Sequence, residues 1–392
     1  MTDNRRKKIS TIWPFVLNFL LFAAIASVSP FLVLYYQGLG FTGTQIGLLT
    51  GITPLITFFS APLWTGLADA TRRHRFIMSL AILVGVITLS VFPLLHEFVP
   101  VLLISILLNI FLAPVTSFAD AATMFMLADK REMYGRIRLG GTIGYGLSAA
   151  LAGALVQNHG LKFAFWGCAA LFFLGLIVSQ QLVYGQLKGG DPAEGRVRVL
   201  LTNPHWILFL VIAFAGGSAL AAINNYFFPY MKELGAKESM MGLALTIGTA
   251  TEIPVLFFGD RLIKRFKSYG LLMLAMVITG IRLLLLAAAG TPDLALVIQL
   301  LNGLTFPAMW MAGVSYADES APEGMKTTAQ GLFGAMVFGF GMAIGGFIGG
   351  LLLESLSGRG LYLVFGVAVL AIVVIVALIQ RRLQSRRHHP AS

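Results

Sequence analysis

A chain of 392 residues that is 57% hydrophobic and 11% charged has too little polar surface to coat a soluble globule of its size, so its solvent is lipid. The net charge of +11 invites a nucleic-acid reading, but the basic residues fall beside apolar stretches in a pattern that sets membrane orientation instead. The single cysteine, Cys168, lies in an apolar helix, excludes an internal disulfide and reads as a small packing residue.

A helix needs about 20 mainly apolar residues to cross a bilayer core. Taken in chain order, such stretches fall at 12–36, 44–68, 76–95, 99–127, 139–157 and 161–184, then at 205–231, 239–258, 270–290, 294–317, 327–353 and 360–380. The first follows the basic run Arg5 to Lys8 but lacks a cleavage site of small residues, so it reads as a span and not as a secretory signal. The predicted fold is therefore all-α with twelve transmembrane helices.

Of the 28 lysines and arginines, 23 lie on the side of the N-terminus, four on the other, and Arg282 alone lies inside a span. Both termini are expected in the cytoplasm, which by itself requires an even number of spans. A cell membrane, such as the bacterial cytoplasmic membrane, is the expected location.

The stretch Tyr35 to Leu48 can be laid over Tyr230 to Leu243 with five coincident positions, among them Gly40 with Gly235 and Gly47 with Gly242. Further on, Pro62 pairs with Pro254. The basic loop Arg72, Arg73, Arg75 pairs with Arg261, Lys264, Arg265, Lys267. Two parallel six-helix halves are expected, 1–186 and 205–392, the second ending in a basic tail. A cytoplasmic linker at 187–204 joins them. Parallel repeats of this kind are a transporter architecture, with substrate expected near the bilayer midplane between the halves. Small residues at Gly140 and Gly144, and at Gly341, Gly345 and Gly349, allow close helix packing, either static or as a sliding seam.

The loop from Gly66 to Arg75, with Asp69 ahead of a basic cluster, resembles the signature between the second and third spans of the major facilitator superfamily. It departs in detail, since Thr65 stands where the family has glycine and Ala70 replaces a basic neighbour. The resemblance implies a gating loop in which Asp69 holds neighbouring basic groups such as Arg72 and Arg73. Tyr134-Gly-Arg-Ile-Arg-Leu-Gly-Gly-Thr-Ile-Gly-Tyr145 resembles the start of the fifth span in the branch containing lactose permease, nucleoside permeases and phenylpropionate permease. So do Glu252-Ile-Pro, Arg282, Asn302-Gly-Leu-Thr-Phe-Pro307 and Gln330-Gly.

Ionisable groups within spans are costly, at least ~2.5 kcal/mol on insertion scales, and so mark function. Asp120 and Arg138 can pair across a helical hairpin, either to bind substrate, as the resemblance implies, or as a structural ion pair. Arg138, Thr142 and Tyr145 share one helix face, offering charged and neutral donors and a ring platform, and the resemblance implies a substrate role. Apolar neighbours favour a neutral carboxyl at Glu252, which is expected to carry a coupled proton or to touch substrate, with Asp120 as second candidate for the proton and Arg282 opposing the neutral form by pairing. Where lactose permease has a coupling histidine and glutamate, this chain has Asn302 and Thr305, so that chemistry does not transfer. Asn18, Asn224, Asn225, Asn302 and Gln330 are candidate substrate hydrogen-bonders, and Phe306 with Trp310 a candidate ring-stacking pair; packing is the alternative for each.

No Walker loop, zinc spacing or nucleophile elbow occurs, so neither an ATP-driven pump nor an enzyme is expected, and no cofactor or metal. The expectation is a proton-coupled symporter of a small polar ring-containing solute (nucleoside, sugar or aromatic acid), monomeric, with protons and membrane lipids as its other partners. A proton-driven exporter of drugs or lipids and a non-transporting sensor are the alternatives.

Overall fold

A computed structural model describes residues 12–127, 133–184, 200–323 and 325–388. The basic runs at Arg5 to Lys8 and Lys188 to Arg198, most of the expected linker 187–204 and the last four residues lie outside these.

Ten apolar helical stretches are Ile12–Gly38 (α1), Gly43–Thr71 (α2), His74–Leu94 (α3), Phe98–Leu127 (α4), Tyr134–His159 (α5), Lys162–Ser179 (α6), Pro204–Glu233 (α7), Glu238–Phe257 (α8), Ser268–Ala288 (α9) and Pro292–Ser320 (α10). An eleventh, Lys326–Leu383, is 58 residues long, about twice what a bilayer needs. Its backbone breaks at Ser357, with φ of 62° and ψ of 177°, which divides it into 326–356 (α11) and 358–383 (α12). The twelve spans expected from hydropathy are thus present among the described residues. Large apolar side chains such as Leu63, Leu151 and Phe257 are exposed, as lipid-facing surface requires.

Several spans are irregular. A 3-10 turn at Ser29–Phe31 carries Pro30, and α10 runs through a 3-10 segment, Gln299–Leu304, before restarting at Phe306 with Pro307 in its first turn. A π-helical segment, Ala335–Gly341, widens α11. Proline removes a backbone donor and displaces the preceding turn, and this frees side chains from strict α-helical spacing.

Contacts group the chain into two units. One holds the described residues of 1–35, 56–190 and 237–246. In it α1 packs on α5 and α6, and α3 on α6. The approach of α1 to α5 is close enough that a β-carbon at Gly144 would collide with the Phe19 carbonyl. The other unit holds the described residues of 36–55, 191–236 and 247–392. Here α7 packs against α11 and α12, and buried Tyr226 hydrogen-bonds the Gly346 carbonyl. Helices α2 and α8 therefore each contribute to both units. The first turns of α2 join α11 through Thr50 Oγ1 on Gly346 O (3.1 Å) and Thr44 N on Glu354 Oε2 (3.0 Å). The first turns of α8 join α5 through Thr246 Oγ1 on Gly146 O at 2.8 Å.

Candidate functional site

The first unit builds an ion pair from α4 and α5. Arg138 Nη1 donates to both oxygens of Asp120 at 2.8 Å and to the Tyr134 hydroxyl at 3.2 Å. Tyr134 is one turn before Arg138, so the helix itself sets that contact. The guanidinium also lies 5.2 Å from the centre of the Phe22 ring of α1. The side chains of Arg138 and Asp120 are 42% and 33% exposed, so a ligand can reach charges that the protein already orients. Thr142 and Tyr145, farther along the same helix, are half-buried. Asn18 is buried with its Nδ2 on the Pro14 carbonyl at 3.0 Å, so that donor is spent on its own helix.

At the turn between α2 and α3, Asp69 takes His74, with 2.8 Å between Oδ1 and Nε2. Arg75 donates from Nη2 to the Leu182 carbonyl at 2.8 Å. Arg72 and Arg73 are exposed, and their side chains make no ion pair, hydrogen bond or ring contact with another described residue.

The second unit encloses Arg282, which is only 1% exposed. Its Nη1 donates to Asn302 Oδ1 at 2.8 Å and Thr305 Oγ1 at 2.9 Å, and its Nη2 to Gln299 Oε1 at 2.7 Å. Its Nε has no hydrogen-bond partner among the described residues. A 3-10 segment has three residues per turn, so Gln299, Asn302 and Thr305 line up on one side and form a cage of neutral acceptors. Asn302 then donates its Nδ2 to Glu252 Oε1 at 2.8 Å and to the Gly248 carbonyl at 3.1 Å. Arg282 and Glu252 are joined through an amide and not by a direct ion pair. Asn302 has its oxygen and both its N–H bonds engaged, which makes it a relay between them.

The ring pair of α10 belongs to a larger aromatic group. Trp310 lies 6.4 Å from Phe306 between ring centres, 4.9 Å from Phe338 of the π-helical segment and 5.1 Å from Phe333. Phe338 is 42% exposed, which leaves this group an open edge. Gln330 donates to Asp318 Oδ1 at 3.3 Å, and Lys326 to Asp318 Oδ2 at 2.7 Å. Asn224 is exposed and Asn225 half-buried, and neither amide bonds another described residue.

Of the residues singled out in the sequence, the fold brings together Asp120 with Arg138; Glu252, Asn302 and Arg282; and Phe306 with Trp310. Sequence reasoning missed Phe22, Gln299, Asp318 and Phe338 as partners. Tyr134 was legible, since it stands four residues before Arg138 in the quoted motif.

The model of the MFS_1-like family matches residues 14–364. Maltose permease of Geobacillus stearothermophilus is 26% identical, covering 95% of both chains. The probable 3-phenylpropionic acid transporter of Escherichia coli (strain K12) is 23% identical over 92% of this chain and 96% of its own. The crystal structure of the nucleoside transporter NupG has the same fold, with a TM-score of 0.84 at 17% identity over 94% of this chain and 98% of that one. These relatives are transporters and not enzymes. The chain belongs to the MFS_1-like family and is a multi-pass membrane transporter of the major facilitator superfamily.

Proposed function

We propose that the chain is a proton-coupled symporter of a small polar solute bearing a ring, working by alternating access with both termini in the cytoplasm. The observation that carries this reading is the relay from Glu252 through Asn302 to buried Arg282. A carboxylate in a direct salt bridge must break it to accept a proton. Glu252 has no such bridge, and its second oxygen has no partner among the described residues, so a proton can come and go there while Arg282 keeps its cage. The relay passes the change on, because a protonated Glu252 accepts more weakly from Asn302 and so alters the grip of Asn302 on Arg282.

Side-chain chemistry supports the substrate class. The Asp120–Arg138 pair offers an oriented acceptor and donors to hydroxyl or carboxylate groups, and the Phe306, Trp310 and Phe338 rings offer flat apolar surface to a sugar or aromatic ring. Relatives named for maltose, 3-phenylpropionic acid and nucleosides share that combination of a ring with polar groups.

The test is transport by purified protein in liposomes, screened against sugars, nucleosides and aromatic acids. A proton gradient directed into the liposomes, with the outside acid, is expected to drive accumulation by the wild type, and Glu252→Gln to retain solute exchange but lose accumulation. If Glu252→Gln still concentrates solute against its gradient, Glu252 is not the proton carrier.

A further inference from the structure

The turn between α2 and α3 carries more positive charge than its neighbours balance. Asp69 is committed to His74, and Arg75 uses one donor on the Leu182 carbonyl. The guanidinium groups of Arg72, whose backbone is held in the left-handed region at φ of 55°, and of Arg73 remain without partners among the described residues. Arg73 is also the N-cap of α3 and makes no capping bond, and the first turn of that helix has no acid, so its free N–H groups add to the positive field. The corresponding loop of the second half differs. There Arg261 lies 5.3 Å from the ring centre of Phe258 and Arg265 lies 5.8 Å from that of Phe266, and Lys267 has nearly the same left-handed φ of 58° as Arg72.

The unbalanced arginines line a cleft of about 310 Å³, at the small end of the ~300–1,000 Å³ typical of ligand clefts. Arg72, Arg73, Arg75 and His74 supply its polar lining. The rest of the lining is Phe76, Val183 and Tyr184, of which Phe76 is 62% and Val183 42% exposed. Burial pushes the Tyr184 phenol above its ordinary range, against the opposing pull of Arg75, so it stays neutral and adds no negative charge. The cleft therefore offers both unpaired cations and exposed apolar surface. It stands where three spans end, and a turn between two helices that cross the bilayer meets lipid headgroups.

We propose that this cleft is a binding site for one anionic phospholipid. Its phosphate engages Arg72 and Arg73, and the upper part of an acyl chain lies on Phe76 and Val183. A soluble phosphate would satisfy the arginines and leave the apolar lining bare, and only an amphiphile uses both. The bound headgroup would sit beside the Asp69–His74 contact, giving lipid composition a handle on this loop.

The test uses the full chain in a neutral detergent, with retention of added phosphatidylglycerol or phosphatidylcholine read by native mass spectrometry. The wild type is expected to hold one phosphatidylglycerol at least about tenfold more tightly than phosphatidylcholine, and Arg72→Gln/Arg73→Gln to lose that preference while eluting as the same monodisperse species. Arg261→Gln/Arg265→Gln removes the same charge from the corresponding loop and is expected to keep it. Equal loss in both double variants would mean diffuse attraction to a basic surface and would overturn the site. Displacement of the lipid by millimolar inorganic phosphate would assign the arginines to a soluble anion, which overturns the lipid. Retention unchanged in Arg72→Gln/Arg73→Gln overturns the proposal outright.

Discussion

A guanidinium with almost no exposure and only neutral acceptors is costly to bury, and Arg282 is tolerated because Gln299, Asn302 and Thr305 each supply an oxygen at hydrogen-bond distance. Asn302 matters most, since it alone also reaches Glu252. Replacing it with leucine leaves one fewer acceptor for Arg282 and no donor for Glu252, an expected loss of about 1–3 kcal/mol that would be visible as a lower unfolding temperature in detergent. Asn302→Asp instead sets a carboxylate beside Arg282 but turns its second oxygen toward Glu252 Oε1 and the Gly248 carbonyl, which lose their donor, so a comparable loss of stability is expected with pH-driven accumulation lost and exchange retained. The Asp120–Arg138 pair calls for the opposite balance. Both side chains are a third or more exposed, so Asp120→Asn should cost about 1 kcal/mol of stability or less. If the pair holds substrate, the same change raises KM about tenfold or more, because a charge-assisted bond is lost. A large drop in unfolding temperature with KM unchanged would make the pair a structural strut. Much of this was legible in the sequence, because an ionisable group in an apolar run is conspicuous. Gln299 was less so, since α-helical spacing sets it near Asn302 but carries Thr305, six residues on, about a third of a turn away.

That last point belongs to the helices and their breaks. Along a regular α-helix, positions 299, 302 and 305 drift around the axis, whereas the 3-10 segment aligns them, and Thr305 with Phe306-Pro307 ends it. Likewise the π-helical segment Ala335–Gly341 sets Phe338 against Trp310. Hydropathy finds a span but is blind to such local changes of pitch, so the aromatic group was only half seen from sequence. Helix contacts were easier to read, because small residues at a spacing of four mark a close approach. At Gly144 the obstacle to a β-carbon is the Phe19 backbone carbonyl, which cannot swing aside. Gly144→Ala gains about 1 kcal/mol of helix propensity, but α1 and α5 must separate to admit the methyl group, at about 1–3 kcal/mol. The expected result is a net loss of stability, measured by thermal unfolding. An unchanged or higher unfolding temperature would show that α1 is free to shift.

For the molecule as a whole, the repeat seen in sequence has a counterpart in matched backbone turns. Gly40 and Gly235 have φ of 79° and 86°, and each donates its N–H to the carbonyl three residues back, at 3.0 and 2.9 Å. Arg72 and Lys267 match in φ, at 55° and 58°, one span later. The exchange of the first turns of α2 and α8 between units was not legible, because it depends on which glycine faces meet and not on how apolar they are. The charge count makes a claim that the turns also bear on. If 23 of the 28 basic residues mark the cytoplasmic face, the turns near Thr71 and Lys267 lie inside and those near Gln37 and Lys237 lie outside. Cys168 is 1% exposed, so Cys168→Ala gives a background for single cysteines. A membrane-impermeant maleimide added to intact cells is expected to label Gln37→Cys and Lys237→Cys, and to reach Thr71→Cys and Lys267→Cys only after permeabilisation. Because the two members of each pair lie six spans apart, labelling of one member without the other would require an odd number of crossings between them, and the parallel arrangement of the halves would fail.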